Sequence, residues 1–556
     1  MTILPFLLIG SLAGGTSLAL RGRRAWSTAT AVAGLAGMIV TATLLNPASG
    51  VPIASTTLVA SEWLRHYALL GSVVAILLVA IDEAGHRERD VPSISVIGLT
   101  TSVAALAVPE PGVAILAATA GGLAGVLVAA PVGAAARATF VGVRELRALA
   151  VAGALAIVAV AWLAHAPAEV LTLPAAVGAA VAAFGISVAV RFGAIPFHLW
   201  AARVADAAPG AALPLLLAWS PAAMAAIALA WIDGTVAPLG LPLTGERTLL
   251  AAIGLVTLIL GLIAAWIQDD LEHIVGYTIA ADAGFVILAL SSLDRAAWEP
   301  ARIWLLVVVV GRSALAAWAL AIHGAFGTRR IPELAGWARR APLLALALAA
   351  IAVVSVGWPA LAAWQARATL AQLALPTPLA ILATAAPIGS AAILGRLLWI
   401  GSRPAGQGVT DGRSERPAWP GPIPSRPMVG RGAAERAVER VAHALGGGLD
   451  VVWALPAAAR LNRAPLSSIA VGLLAVLSLA VASGGFGVAE AARARPLIAG
   501  NGPLPSDTPA PSASPSNEPG PGSTPGLTFR PVIGTPSPGI GGSSAPTGLD
   551  QPSAGR

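Results

Sequence analysis

The stretch that decides the fold is AVRFGAIPFHLWAARVADAAPGAALPLLLAWSPA, residues 189–222. An apolar segment at 173–190 leads into it, and Arg191 stands directly before a break marked by Gly193 and Pro196. A membrane helix interrupted in this way frees backbone groups that need protein or water around them, so such breaks usually line a cavity. Because ionisable groups at membrane depth are usually functional, the stretch predicts a functional site at a broken helix.

The composition is that of a polytopic membrane protein. Of 556 residues, 56% are hydrophobic and 11% are charged, and the mean hydropathy is +0.80. A water-soluble globular domain does not combine these values. We therefore predict an all-α membrane bundle of about 14 transmembrane helices, packed closely through many Ala and Gly residues. The fourteen apolar segments lie near 3–20, 26–45, 66–82, 93–108, 112–131, 147–164, 173–192, 211–232, 249–267, 273–292, 302–324, 342–371, 376–400 and 466–485.

Two residue types are missing from the chain. It has no cysteine, so disulfides, thiolate metal sites and cysteine-ligated iron–sulfur clusters are excluded. It also has no lysine, so all 34 basic side chains are arginine. No nucleotide-phosphate loop is present either, and we expect neither a cofactor nor a metal ion in this chain.

The arginines predict the orientation in the membrane, since cytoplasmic loops collect them. With fourteen spans, their positions put both termini outside a bacterial-type inner membrane, in contact with the lipid bilayer. The net charge of +7 is thus a topological signal, and we expect no nucleic-acid partner. The arginine-rich loops contain Arg21, Arg23 and Arg24; Arg87 and Arg89; Arg137 and Arg144; Arg329, Arg330, Arg339 and Arg340; and seven arginines between 403 and 440.

Five regions follow along the chain. Residues 1–110 are expected to be N-terminal transmembrane scaffold, with a first helix that is retained rather than cleaved. Residues 111–400 form the core, and 401–465 are a cytoplasmic loop rich in Pro, Gly and Arg with an amphipathic helix at 433–447. Residues 466–485 are the last span, and 486–556 are a disordered tail rich in Pro, Ser and Gly.

Several further ionisable residues lie within or beside apolar spans. Asp282 stands in the middle of one, where a carboxylate should be neutral, paired or next to a wet cavity. Arg312 and His323 occupy the following span, although His323 also fits a cytoplasmic helix end. Glu145 lies between two arginines and fits a buried functional acid or an interfacial ion-pair cluster equally well. In the charged turn at 81–90, a metal site formed by Asp82, Glu83 and His86 is the less favoured alternative to a solvated cytoplasmic turn.

A second interrupted helix is predicted at 331–370. Gly357 and Pro359 break it, and Arg367 follows about two helical turns later. A break accompanied by an arginine therefore occurs twice, as it does where inverted repeats of a transporter meet at a site near the membrane midplane. The sequence shows no close residue-by-residue repeat, so this prediction rests on the pattern of breaks.

Three landmarks in order resemble the proton-antiporter-like membrane subunits of respiratory complex I, a family that includes Mrp antiporter and membrane-bound hydrogenase subunits. The first consists of Arg191, Pro196, Phe197, His198 and Trp200, followed by Ala208-Pro209 and Ser220-Pro221. The second is QDDLEHIVGYTIAADAGF at 268–285. The third comprises Glu333 to Gly336, Pro342, Ser355, Gly357 and Pro359. Together they cover about 173–400, and the number of spans and the chain length look most like an N-type or M-type subunit.

The resemblance implies fourteen helices with two inverted five-helix repeats and a proton path along a hydrophilic axis. In this family, lysines, a glutamate and histidines carry that path. Carried over by position, the two lysines at the helix breaks fall on Arg191 and Arg367, and a histidine falls on Asp282. A third lysine falls on Ala222, while Glu145 corresponds to the family's glutamate on one of two alignments and has no counterpart on the other.

These replacements change the chemistry of the axis. Burial shifts a lysine, with a pKa of about 10.4, by up to roughly 3–5 units toward neutrality. An arginine at about 13 would have to fall by roughly 6 units, about 8 kcal/mol, to lose its proton at pH 7. We therefore expect Arg191 and Arg367 to be fixed charges, with Asp282 or Glu145 as candidate partners, and the chain's own proton path to be weakened.

The function expected from the sequence is a membrane-arm subunit of a complex I-like, redox-driven proton pump, in which other subunits supply the redox centres. The partners are other membrane subunits of a complex I-like, hydrogenase-like or Mrp-like assembly. Two alternatives stay open. One is an Mrp-type or stand-alone cation/proton antiporter, for which Asp282 is the main candidate to bind a cation. The other is a structural spacer subunit of a membrane complex.

Overall fold

The structure, a computed structural model, describes residues 1–53, 56–85, 90–129, 136–201, 208–404 and 463–493, without the side chains of 136–145 and 463–465. The predictions for the cytoplasmic loop, the amphipathic helix at 433–447 and the tail beyond 493 lie outside the described residues. Everything that follows concerns the described part of the chain.

The N-terminal half is a series of apolar helices with one small hairpin. The helices are α1 (Leu4–Ala19), α2 (Arg24–Thr43), α3 (Glu62–Gly85), α4 (Val91–Ala107), α5 (Pro111–Ala129), α6 (Ala136–Ala164), the short α7 (Ala168–Leu171) and α8 (Pro174–Arg191). Between α2 and α3, β1 (Gly50–Ile53) pairs antiparallel with β2 (Thr56–Val59), and Gly50 lies opposite Val59. This hairpin is absent from the sequence prediction, although the β-branched run at 56–59 is typical of a strand.

The second half contains both helix breaks. Its helices are α9 (Ser220–Trp231), α10 (Thr244–Ile267), α11 (Leu271–Ser292), α12 (Trp298–Phe326), the short α13 (Trp337–Arg340), α14 (Pro342–Val356), α15 (Ala362–Ala374), α16 (Thr377–Ala385), α17 (Ile388–Ser402), α18 (Arg463–Ala482) and the short α19 (Val488–Arg493). A π-helical turn, Leu215–Trp219, precedes α9, and a second one, Ile232–Val236, follows it.

The all-α membrane fold is confirmed. Within the described ranges, ten helices are long and apolar enough to cross a membrane, and four shorter apolar helices accompany them. Each of the fourteen predicted segments overlaps one of these helices, although the segment 342–371 is interrupted after Val356. The exact number of membrane crossings stays a prediction, because four of the helices have only 10–17 residues.

The bundle is held closely together by small residues, as the composition predicts. A Cβ atom on Gly254 would lie 2.9 Å from the carbonyl oxygen of Gly284, and one on Gly261 would lie 2.9 Å from Cα of Ala281. Helices α10 and α11 therefore approach each other backbone to backbone. Helix α12 lies at the centre, and its most apolar stretch is buried along its full length.

Both predicted breaks are present, and glycine allows the chain to turn at each of them. Helix α8 ends at Arg191, and Gly193 follows with φ +63°; helix α14 ends at Val356, and Gly357 follows with φ +77°. This left-handed region is costly for residues with a Cβ atom. Elsewhere, the predicted span 376–400 is divided at Pro387 into α16 and α17, since proline cannot continue the hydrogen-bond ladder of a helix.

Candidate functional site at two helix breaks

At the first break, neighbouring side chains form hydrogen bonds with the interrupted backbone. Thr257 of α10 accepts a hydrogen bond from the backbone N–H of Ile195 (3.1 Å), and the indole of Trp200 donates to the carbonyl of Val190 (2.8 Å). These contacts satisfy backbone groups that the interrupted helix leaves without their usual partners. The loop between the half-helices is thus fixed against α8 and α10.

Arg191 lies at the C-terminal end of α8 and is 1% exposed. Its guanidinium donates to the hydroxyl of Ser220 (2.6 Å) and, at 3.5 Å, to the carbonyl of Ala118. A Cβ atom on Gly122 of α5 would come within 2.2 Å of Nη1 of Arg191, so only glycine leaves room for the side chain there. A cation at this helix end interacts favourably with the helix dipole.

The π-helical turn at 215–219 places Ser220 against Arg191. Such turns shift the phase of a helix and often occur at functional sites. Within the turn, the carbonyl of Trp219 accepts from the hydroxyl of Tyr67 (2.6 Å), and its indole donates to Ser313 (3.0 Å). The start of α9 is therefore held from α3 and α12 at once.

The second break is closed by Arg367, which is fully buried. Its guanidinium donates to the carbonyls of Ser355 (3.2 Å) and Val356 (2.6 Å), the last residues of α14. It therefore stabilises a helix C-terminus both by hydrogen bonds and by its charge. A Cβ atom on Gly357 would lie 1.9 Å from Nη2 of Arg367, so the positive φ and the close approach both require glycine. Three aromatic rings, of Phe285, Trp304 and Trp364, lie 5.2–5.8 Å from its guanidinium.

Asp282 and Arg312 form a buried ion pair next to this break. Nε of Arg312 donates to Oδ2 of Asp282 at 2.6 Å, and the two side chains are 3% and 7% exposed. Nη1 of the same arginine donates to the hydroxyl of Ser355 at 3.2 Å. Ser355 thus links two arginines, since its hydroxyl binds Arg312 and its carbonyl binds Arg367. We name Asp282, Arg312, Ser355 and Arg367 the break cluster.

The ion-pair partner of Asp282 differs from those proposed from the sequence. Asp282 pairs with Arg312, which lies on the neighbouring helix of the α11–α12 hairpin. Arg191 and Arg367 were the partners expected from the sequence. Arg367 lies in the same group of buried charges, yet its hydrogen bonds go to backbone carbonyls. The reason is geometric. Helices α11 and α12 pack side by side, whereas the side chain of Arg367 extends from α15 back to the end of α14.

His198 lies in the first break and faces α11. Its ring is 6.4 Å, centroid to centroid, from that of Tyr277, and its Nδ1 atom is buried without a hydrogen-bond partner in the described part of the chain. Glu145 belongs to helix α6, but its side chain lies outside the described residues.

His323 stands apart from these groups, at the arginine-rich end of the bundle. Its Nδ1 atom is 3.9 Å from Oε1 of Glu272, which accepts a hydrogen bond from Arg329 at 2.7 Å. Arg329 also pairs with Asp270 (2.7 Å), the N-cap residue of α11. His323 is thus part of a charged network at a helix end, which agrees with the alternative considered from the sequence.

The pKa of Asp270 connects this network to stability. Burial raises the pKa of this carboxyl, but the hydrogen bond to His273 and the charge of Arg329 lower it more, so that it lies below its ordinary value. A carboxyl with a lowered pKa stabilises the fold at pH values above its unfolded pKa of about 3.9 and loses this effect as the pH falls through the folded pKa. Acidification below about pH 4 should therefore weaken the start of α11.

Asp270→Ala is expected to lower stability by about 1 kcal/mol at neutral pH, because the carboxylate also caps the backbone N–H groups of Glu272 and His273. Asp270→Asn keeps the cap and is expected to lose less. Thermal unfolding of both variants in detergent between pH 3 and pH 7 measures the difference. Equal losses of stability in the two variants would mean that the cap at Asp270 does not stabilise the protein.

Metal-binding clusters are not found: in the ranges that the structure covers, no group of three His, Cys, Asp or Glu side chains could hold an ion. In the charged turn, Asp82 and Glu83 instead accept hydrogen bonds from Arg24, at 3.1 Å and 2.9 Å. His86, the third residue of the alternative metal site, lies outside the described residues.

Among the residues singled out from the sequence, Asp282, Arg312 and Arg367 come together, while Arg191 and His198 belong to the first break. Two linking residues, Ser220 and Ser355, belong to the landmarks of the sequence but were not among the predicted site residues. Their positions, in the Ser-Pro motif of the first landmark and two residues before the glycine of the third, were the available signal.

Residues 149–392 match the family described as NADH:quinone oxidoreductase/Mrp antiporter, transmembrane. Over this part of the chain, the resemblance to antiporter-like membrane subunits that was seen in the sequence is confirmed.

Curated relatives agree over a shorter range. The subunit N of NADH-quinone oxidoreductase from Heliobacterium modesticaldum is 29% identical over 194 residues, 34% of this chain and 39% of that protein. The NAD(P)H-quinone oxidoreductase subunit 2 from Microcystis aeruginosa is 30% identical over 172 residues, 31% of this chain and 32% of that protein. The aligned segments thus span about a third of the length of the curated relatives.

Solved structures share the fold over most of the chain. A chain of respiratory complex I from Thermus thermophilus aligns with a TM-score of 0.59 at 17% identity, covering 86% of this chain and 97% of that one. A chain of the archaeal membrane-bound sulfane sulfur reductase gives 0.58 at 14% identity, with coverage of 86% and 99%. The Mrp complex from Dietzia sp. gives 0.54 at 18%, with coverage of 86% and 97%. At these identities the likeness shows the fold alone.

Proposed function

We propose that this chain is a membrane subunit of a multi-subunit, redox-driven proton pump of the NADH-quinone oxidoreductase type. It contributes to proton translocation, carries no redox centre of its own and binds other membrane subunits of the assembly. Support comes from the relatives named as quinone oxidoreductase subunits N and 2 and from the fold shared with chains of three membrane complexes.

The break cluster is the observation that carries the proposal for this chain. A buried carboxylate and two buried guanidinium groups are joined through Ser355 at the end of an interrupted helix. Arginine keeps its proton at neutral pH, so these groups provide a fixed electric field rather than a relay of proton carriers. We infer that the chain's own proton path is weakened and that it acts on protons chiefly through this field.

The Mrp-type cation/proton antiporter is the second candidate, supported by the fold of the Mrp complex and the family description. An antiporter needs a carboxylate available to a cation. The carboxylate of Asp282 is already paired with Arg312 at 2.6 Å. This pairing favours the pump subunit over the antiporter. It also favours a spacer subunit, which would have no ion path.

Purification from the native membrane in mild detergent tests the assignment. Co-purification with quinone-reactive and other antiporter-like subunits is the expected result. A homogeneous single protein that exchanges cations for protons in liposomes would overturn the pump assignment in favour of secondary antiport.

The orientation proposed is that of a bacterial-type inner membrane protein with both termini outside. Because the natural chain has no cysteine, single cysteines report sidedness without background. Phe486→Cys, at a position 64% exposed, should react with a membrane-impermeant maleimide in intact cells. Arg330→Cys, where the side chain is 75% exposed, should react only after permeabilisation. The reverse pattern would invert the topology.

A further inference from the structure

A folded segment at the end of the described chain crosses two transmembrane helices. This C-terminal strap, residues 483–493, follows α18 and ends in the short helix α19, whose Val488, Ala491 and Ala492 are buried. Order therefore continues beyond 485, where the sequence predicted the last span to end. The strap contacts the starts of α3 and α12, at the end of the bundle opposite Arg329.

The strap is pinned at two places. At its far end, Nη1 of Arg302 donates to the carbonyl of Ala492 (3.0 Å), and Arg493 pairs with Glu299 (2.7 Å). At its near end, Nε2 of His66, on α3, lies 2.6 Å from the carbonyl oxygen of Phe486. His66 thus connects the near end of the strap directly to α3.

Both ring nitrogens of His66 have a backbone carbonyl oxygen as their neighbour. Its Nδ1 atom lies 2.8 Å from the carbonyl oxygen of Glu62, so both ring nitrogens face oxygen atoms that can only accept hydrogen bonds. A neutral imidazole can donate from one nitrogen only, and its other lone pair then points at an oxygen. The imidazolium donates from both nitrogens and satisfies both carbonyls.

We propose that His66 is a proton-operated latch: protonation of its ring fastens the C-terminal strap to α3, and deprotonation loosens it. Histidine is the side chain that changes charge between pH 5 and pH 8. With the orientation proposed above, the latch lies on the outer side of the membrane, where a proton pump releases its protons. That placement rests on the proposed function, whereas the latch itself does not.

Several charged groups surround the latch. Oε1 of Glu62 lies 3.5 Å from Nδ1 of His66, and Arg65 pairs with the same carboxylate. From the strap, Glu490 adds a second carboxylate near Gly487, whose Cβ position is 3.5 Å from Nε2 of His66. The remaining charged groups hold the far end of the strap: Arg302, Glu299 and Arg493.

The backbone of the strap explains why a latch matters. Phe486 has φ +56°, and its neighbours Gly484 and Gly487 have φ +81° and +71°. A phenylalanine in the left-handed region is strained. The side chain of Phe486 is 64% exposed, so its own burial contributes little. The bond from His66 therefore does much to hold this turn, and its loss should release the near end first.

Hydrogen exchange of the purified full-length protein in detergent tests the proposal. After correction for the intrinsic pH dependence of exchange, amides of 484–491 should exchange about fivefold faster at pH 8 than at pH 5.5, the effect of roughly one hydrogen bond. His66→Gln should abolish this pH dependence. His165→Gln, which changes an exposed histidine directly after α6, is the matched control and should retain it.

A second variant covers the case in which His66→Gln does not fold. Glu62→Gln removes the carboxylate next to Nδ1, so the pH midpoint of the exchange change should move to lower pH. Exchange of the strap that is equal at pH 5.5 and pH 8 in the wild-type protein would overturn the proposal, as would an unchanged pH response in a folded His66→Gln protein.

Discussion

Asp282→Asn is expected to destabilise the protein by about 3–5 kcal/mol, because it leaves the guanidinium of Arg312 buried without its counter-charge. In the wild-type protein the two groups are 2.6 Å apart and nearly inaccessible. The amide can accept a hydrogen bond from Arg312 but does not neutralise it. Loss of the folded protein, or a large fall in its melting temperature in detergent, is the measured result.

Two controls distinguish the effect of leaving one buried charge unpaired from the effect of losing an ion pair as such. Asp269→Asn makes the same chemical change in an ion pair with Arg396 whose carboxylate is 64% exposed, and it should cost at most about 1 kcal/mol. The double variant Asp282→Leu with Arg312→Met removes both buried charges and should recover most of the lost stability. If Asp282→Asn instead assembles normally while pumping falls, the carboxylate is part of an ion path and the structural interpretation is wrong.

Arg191→Lys is expected to raise proton flux through the subunit in liposomes by at least about tenfold over a low wild-type value. Deprotonating a buried lysine at pH 7 costs at most about 5 kcal/mol, against about 8 kcal/mol for arginine. Lysine keeps a positive charge at the end of α8, so the change alters chiefly the ability to release a proton. The flux is measured as uncoupler-sensitive acidification after a potential is imposed.

The comparison variant is Arg191→Ala, which removes the charge without supplying a titratable group. It should not reach the flux of Arg191→Lys. The fixed-charge idea fails if the wild-type subunit conducts protons robustly and Arg191→Ala abolishes that flux.

Both helix breaks could be predicted from the sequence for a local reason. A glycine and a proline within three or four residues of one another cannot continue an apolar helix, and Gly193 and Gly357 do adopt positive φ values. The burial of Arg191 and Arg367 could be predicted as well, because each arginine stands inside or beside an apolar run. These inferences need only the chemistry of neighbouring residues.

The partners of the buried charges could not be predicted in the same way. Whether Asp282 meets Arg312 or Arg367 depends on how α11 is rotated about its axis, which the sequence of α11 alone does not fix. Ser355 links two arginines, one through its hydroxyl and the other through its carbonyl, and no sequence motif predicts this double role. The hairpin at 50–59 and the strap at 483–493 were missed because such short segments carry little periodicity.

The position of the buried ion pair on successive helices bears on how the protein enters its membrane. An arginine at the centre of a single inserting helix costs roughly 2.5–3.5 kcal/mol at the translocon. Asp282 on α11 and Arg312 on α12 belong to one helical hairpin, joined by the short connection between Ser292 and Trp298. The two helices can therefore leave the translocon together with these two charges already paired, so the pairing bears on membrane insertion as well as on the folded bundle.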